Sequence, residues 1–127
     1  MKKPYYMPPL TGKQKEEAGA MLRAVESVSG VSPRMIQSAR RDEVCTRARF
    51  LAVGAFIGSN WTTTASAVAM NYAHHGSTWY AATRFDELLE IGDARFTEQA
   101  RGLALRGVPT RGVRRGFDLE GNAVEWR

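Results

Sequence analysis

Residues 42–58, DEVCTRARFLAVGAFIG, read as a helix that belongs at the centre of a core. Val44, Ala48, Leu51, Ala52, Ala55 and Phe56 recur every three or four positions, and Phe50, Val53 and Ile57 widen the stripe. A helix apolar over so much of its circumference must be covered from several sides. Asp42 and Glu43 suit its N-terminus, where unpaired N–H groups carry partial positive charge, and Gly58 ends it.

Working outward, Asn60-Trp61-Thr62-Thr63-Thr64 is a loop rich in capping residues, and a short helix is expected over 64–71 with Ala65, Val68, Ala69 and Tyr72 turned inward. Ala73-His74-His75-Gly76 then makes a tight connection, with Ser77 as the expected N-cap of a helix over 78–91. Trp79 or Tyr80, Ala82, Phe85, Leu88, Leu89 and Ile91 are its expected core face. Gly92-Asp93 stops that helix and caps another over 94–106, carrying Phe96, Ala100, Leu103 and Leu105. Upstream, Ser32-Pro33 pairs an N-cap hydroxyl with proline at the first helical position and opens a helix over 33–38. Thr11 and Gly30 bracket another over 12–29, with Ala18, Met21, Leu22, Val25 and Val28 on one face. The fold class that follows is mainly α: a compact helical bundle over residues 12–106.

The two ends differ from this body. Residues 1–11 begin MKKPYYMPPL, and Pro4, Pro8 and Pro9 make an extended arm and break up any signal-peptide-like apolar run. Residues 107–127 form an appendage rich in Arg and Gly, and Phe117 to Trp126 alternate around Gly121-Asn122 in the pattern of a small β-hairpin.

Hydrophobic residues make up 43% of the 127, enough for a buried core, and no run approaches the roughly 18 apolar residues of a membrane span. The net charge is +5, and fourteen of the eighteen cationic residues are arginine, whose forked donors suit phosphates and guanine edges. Cys45 stands alone, which suits a reducing compartment, and the cytoplasm is the expected location. His74 and His75 have no companion ligands at zinc-site spacing, so neither a metal nor another cofactor is expected. No nucleophile or orienting carboxylate stands at a recognisable spacing from them either, and the chain does not read as an enzyme.

The unit that carries functional information lies at about 62–91: a short helix, a turn, and a second helix opening on small hydroxyl residues. This is the helix-turn-helix layout, in which the second helix offers its N-terminal end to the major groove of DNA. Ser77 and Thr78 occupy that end, with His74 and His75 just before it. Arg40, Arg41, Arg47 and Arg49 lie before and on the central helix, where an arginine can reach phosphates or the minor groove. Arg47 and Arg49 are two apart and must point in different directions, so only one is expected to share a face with Ser77.

Ser38-Ala39-Arg40-Arg41, then Arg49, then Ser77-Thr78 and Ala82 resemble the C-terminal DNA-binding domain of the DnaA-type bacterial replication initiators, over about residues 28–92. That domain is a Trp-repressor-like helix-turn-helix bundle with the signature R-D-H-[ST]-T-V-x-x-A at its recognition helix. The resemblance implies that Arg41 enters the minor groove, that Arg49 meets the backbone, and that Ser77 and Thr78 meet the major groove. His74-His75-Gly76 replaces the signature's R-D-H, and Trp79 replaces its Val. The initiators' phosphate-binding G-x-x-x-x-G-K-[ST] loop does not occur in this sequence.

The expected function is therefore that of a nucleoid-associated, sequence-specific double-stranded-DNA-binding transcription regulator, of the kind found in phage or phage-derived elements. The candidate contacts are Arg40, Arg41, Arg49, His74, His75, Ser77 and Thr78, and the terminal segments are candidates for touching RNA polymerase or another regulatory protein. Two alternatives share the sequence: a replication accessory or antagonist occupying origin sites, and a protein-interaction adaptor that has lost DNA binding. The same residues also have ordinary uses. Arg40 and Arg41 can pair with Asp42 and Glu43, Ser77 or Thr78 can cap a helix, and Trp61, Tyr72, Trp79 and Tyr80 can pack in or around the core.

Overall fold

The computed structural model describes residues 7–110, which form six helices: α1 (Gly12–Ser29), α2 (Pro33–Ile36), α3 (Glu43–Gly58), α4 (Thr63–Ala69), α5 (Gly76–Glu90) and α6 (Ala94–Leu105). The hairpin expected over 117–126 and residues 1–6 of the expected arm lie outside the described residues. No helix among the described residues is long and apolar enough to cross a membrane.

Side-chain caps set most of the boundaries. Thr11 accepts from the Gln14 N–H while the Gln14 side chain accepts from the Thr11 N–H, a reciprocal capping box at α1. Ser32, Asp42, Thr62 and Asp93 accept from N–H groups at the starts of α2, α3, α4 and α6. Gly30 and Gly92 follow α1 and α5 at φ of 77° and 75°, a left-handed conformation that costs glycine little.

α3 is the central element and touches each of the other five helices. Ala48, Leu51, Ala52, Val53, Ala55 and Phe56 are fully buried. Cys45 also lies inside, and burial pushes its thiol above the ordinary range, which disfavours the reactive thiolate. The contact between α3 and α5 is close because Gly54 has no side chain: a Cβ there would meet the Phe85 ring at 2.6 Å. Phe85 in turn stacks edge-on against Phe96 of α6, with ring centres 5.3 Å apart. At the far end of α3 the chain returns after α6, and the backbone at Pro109 and Thr110 crosses Gly58 so closely that a Cβ would meet it at 2.6 Å. The packed body thus extends at least to Thr110, which is fully buried.

Several apolar residues expected inside are exposed. Val44, Trp79, Tyr80, Ile91 and Leu105 are each more than half exposed. Val44 lies in the first turn of α3, Ile91 is the C-cap of α5 and Leu105 is the last residue of α6, so all three sit at helix ends. On α5 the buried stripe is Thr78, Ala81, Ala82, Phe85 and Leu88, which turns Trp79 and Tyr80 outward.

Arg47 and Asp93 join α3 to the start of α6 through two parallel hydrogen bonds of 3.0 and 2.9 Å. Asp93 also accepts from the Phe96 N–H as the N-cap of α6. The Arg47 guanidinium, followed by that backbone N–H, holds the Asp93 carboxyl down at about 2, below its ordinary 3.8. A depressed acid stabilises the fold above its unfolded pKa, and that contribution disappears as pH falls from about 4 to about 2. Asp93→Asn, which can still cap, should unfold at lower denaturant near neutrality and converge with wild type below about pH 2, as read by urea melts across pH.

Gly54→Ala tests the close contact between α3 and α5. Alanine is the better helix former by about 1 kcal/mol, so a propensity-dominated site would be stabilised. Collision with a buried ring predicts the reverse, a loss of about 1–3 kcal/mol in urea denaturation.

Candidate functional site

Loop 37–42 leaves α2 before α3 begins. The carbonyls at a helix C-terminus have no partner within the helix, and here Arg49 of α3 supplies one. Its Nε donates to the Ile36 carbonyl at 2.8 Å, and one terminal nitrogen donates to the Ser38 carbonyl at 2.8 Å and the Met35 carbonyl at 3.3 Å. A second tie runs sideways: the Gln37 side-chain amide donates to the Ala69 carbonyl at the end of α4, at 2.8 Å. Loop 37–42 and connection 70–75 are thereby held next to each other. Within the loop, the Ser38 hydroxyl donates to the Met35 carbonyl and accepts from the Arg40 N–H.

The connection between α4 and α5 is six residues long, 70–75. It turns at Asn71, which sits at φ 61°, a left-handed conformation that asparagine tolerates better than most residues. α5 begins at Gly76, before the expected start, and Ser77 is not its N-cap. His75 holds the cap position with helical dihedrals and no side-chain cap bond, and the His74 Nδ1 accepts the Gly76 N–H at 2.9 Å. The Ser77 and Thr78 N–H groups close tight turns onto the His74 and His75 carbonyls. An imidazole that accepts at Nδ1 carries its proton on Nε2 when neutral.

These elements border two adjoining open depressions. The first, about 630 Å³, runs between Ser38, Arg40 and Arg41 on one side and Asn71 and Ala73 on the other. The second, about 510 Å³, lies between Thr46 and Phe50 of α3 and His74 and Tyr80. Arg49, Tyr72 and Ser77 border both. Neither is lined by a carboxylate, whereas two other depressions of similar size among the described residues include Glu98. The linings combine cationic and aromatic side chains, and the nearest carboxylate is that of Asp42, which pairs with Arg40 at the edge. Burial raises the Tyr72 phenol above its ordinary range, opposed by the nearby Arg49 charge.

Five of the seven candidate residues, Arg40, Arg41, Arg49, His74 and Ser77, border this face. Arg40 is exposed and pairs with Asp42 at 3.0 Å. Arg41 is exposed and makes no ion pair among the described residues. Arg49 is largely engaged with backbone carbonyls, so its role is to position the loop carrying the other two. Arg47 diverges from Arg49 as the spacing requires and pairs with Asp93. His75 is half-buried, stacked on His74 with ring centres 4.3 Å apart, and borders neither depression. Thr78 is fully buried, because it lies three, four and seven residues before Ala81, Ala82 and Phe85 on the core stripe. Its side chain is closed to a large ligand in this conformation. Gln37, Tyr72 and Tyr80 were not among the candidate contacts. The stripe Ser77, Tyr80, Arg84, Glu87, polar at three of its four positions, marks Tyr80 as outward-facing, whereas nothing local marks the tie from Gln37 to Ala69.

Comparison with protein-family models, with curated proteins and with solved structures returns no match to this chain.

Arg49→Met should lose about 1.5–3 kcal/mol in urea denaturation, because it removes a charged donor and leaves the Ile36 and Ser38 carbonyls without it. Arg49→Lys should recover only part, since an ammonium lacks the planar fork. Limited proteolysis of both variants should show new cleavage within loop 37–42.

Proposed function

We propose that the chain binds double-stranded DNA through this face, with α4 and α5 acting as a helix-turn-helix, and that it serves as a sequence-specific transcription regulator on the nucleoid. The observation that carries the reading is the juxtaposition of Arg40 and Arg41 with Ser77, in the first turn of α5, around a depression whose lining includes no carboxylate. Phosphate binding needs cations that are accessible, and groove reading needs an accessible helix end. Arg41 makes no ion pair among the described residues, and Arg40 becomes accessible once a phosphate replaces its surface partner Asp42. Ser77 is exposed at that end and Arg41 is exposed beside it. In this arrangement the first turn of α5 enters the major groove, and Arg41 reaches the flanking minor groove. Arg40 and His74 meet phosphates alongside. Asp86, Glu87 and Glu90 lie on the second half of α5, which therefore tilts away from the phosphates. The likeness to the initiators' DNA-binding domain adds support, although Thr78 is withdrawn from the contact set and Arg49 becomes a positioning residue.

A second reading, an adaptor that docks on protein, is favoured by Trp79 and Tyr80, which are 54% and 63% exposed on the same end of α5. Aromatic side chains of this kind are enriched at protein interfaces.

Selection from a random duplex pool, followed by titration of the enriched site, separates the two. Arg41→Ala and Ser77→Ala should each weaken binding by about 1–3 kcal/mol if they contact bases. Affinity should fall steeply with salt, and each lost phosphate contact should flatten the log–log slope by about 1. Unchanged binding in both variants contradicts this interface, and failure to shift any duplex at low salt favours the adaptor.

A further inference from the structure

The two depressions differ in chemistry. The larger has on its rim Arg41, which makes no ion pair among the described residues, and Arg40, whose exposed pair with Asp42 an incoming anion can displace. The smaller is lined by rings: Phe50 and Ala81 are buried at its base, and Tyr72, His74 and Tyr80 stand around it. Tyr80 is braced by Phe50, with ring centres 6.2 Å apart and planes at 70°, yet 63% of the residue is exposed. A braced, exposed aromatic offers a stacking surface with little conformational freedom left to lose. The hydroxyls of Thr46 and Ser77 border the same recess and can meet a polar edge. Its volume, about 510 Å³, lies within the range of small-ligand sites.

The occupant follows from what the recess has and lacks. A cationic guest is disfavoured, because Arg49 lines the recess and no carboxylate does. A flat, neutral, aromatic group joined to an anion fits both depressions at once, since Arg49, Tyr72 and Ser77 border the two. That is the chemistry of a nucleotide. A paired base is stacked within its helix and cannot present its ring to a recess, whereas an unpaired one can. We infer that the ring-lined recess takes one unpaired base of the DNA, stacked against Tyr80, while the adjoining phosphate lies toward Arg40 and Arg41. The inference rests on the reading that this face contacts DNA, and it identifies the preferred form as DNA carrying an extrahelical or single-stranded base.

The probes are a short duplex, the same duplex with one extra unpaired 2-aminopurine, and an unstructured single strand, each titrated by fluorescence anisotropy. The bulged duplex should bind about tenfold more tightly than the paired one, and 2-aminopurine emission should fall on binding as the base stacks. Tyr80→Ala should bring the bulged duplex down to the paired level, and Tyr80→Phe, which keeps the ring, should retain the preference. Because Tyr80 is mostly exposed, its replacement leaves the core intact, as circular dichroism can verify. Equal affinity for bulged and paired duplexes, or a preference that survives Tyr80→Ala, overturns the inference while leaving the duplex reading standing. Binding to the single strand but to no paired duplex, lost in Tyr80→Ala, supports the recess and contradicts the duplex reading. Binding to none of the three overturns both.

Discussion

The arrangement of the candidate face depends on the guanidinium of Arg49. α2 is a single turn, too short to stabilise itself, and its last carbonyls would otherwise rely on solvent. Arg49 projects from the most constrained helix of the molecule and satisfies Ile36 and Ser38 with adjacent nitrogens of one rigid plane. The loop that follows is therefore fixed relative to α3. The tie from Gln37 to Ala69 then fixes it relative to the end of α4. The loop carrying two exposed arginines is thus held beside the connection that leads into α5 by the side chains of Arg49 and Gln37. A surface held in this way loses little freedom on meeting a ligand, which is the physical benefit of preorganisation.

The same logic extends inward. Arg49 is well placed only because α3 is held on all sides, and α3 is held because its small residues admit close neighbours. Gly54 accommodates the Phe85 ring, Gly58 accommodates the returning backbone at Pro109 and Thr110, and alanines fill much of the rest. Phe85 and Phe96 then couple α5 to α6, and Arg47 with Asp93 fixes the start of α6 back onto α3. The position of α5, and hence of Ser77 and Tyr80, is set by its packing on α3, α4 and α6.

Much of this was legible in the sequence, and the failures have identifiable causes. Helix order and most boundaries could be read because Thr11, Ser32, Asp42, Thr62 and Asp93 are residues whose side chains cap, and each does so. Ser77 belongs to the same class, but the preceding histidines begin the helix earlier and take over its first N–H groups, so the rule named the wrong residue. Thr78 reads by type as a ligand contact, while its spacing to Ala82 and Phe85 places it on the stripe that the fold buries. Trp79 and Tyr80 read by hydrophobicity as core or rim; the same stripe excludes them from the core, and Tyr80 packs at the rim, edge-on to Phe50. Arg49 was legible as important but not in its role. Its partners lie eleven to fourteen residues earlier and are backbone carbonyls, which no side-chain pattern reveals.

The proposed surface is narrow enough to be mapped directly. Isotope-labelled protein titrated with a duplex enriched from a random pool reports, amide by amide, where DNA lies. The account predicts chemical-shift changes concentrated in residues 38–41 and 71–80, with α1 and the outer side of α6 unaffected. Changes centred on α1 and α6, or a spectrum unmoved by any duplex at low salt, would contradict it.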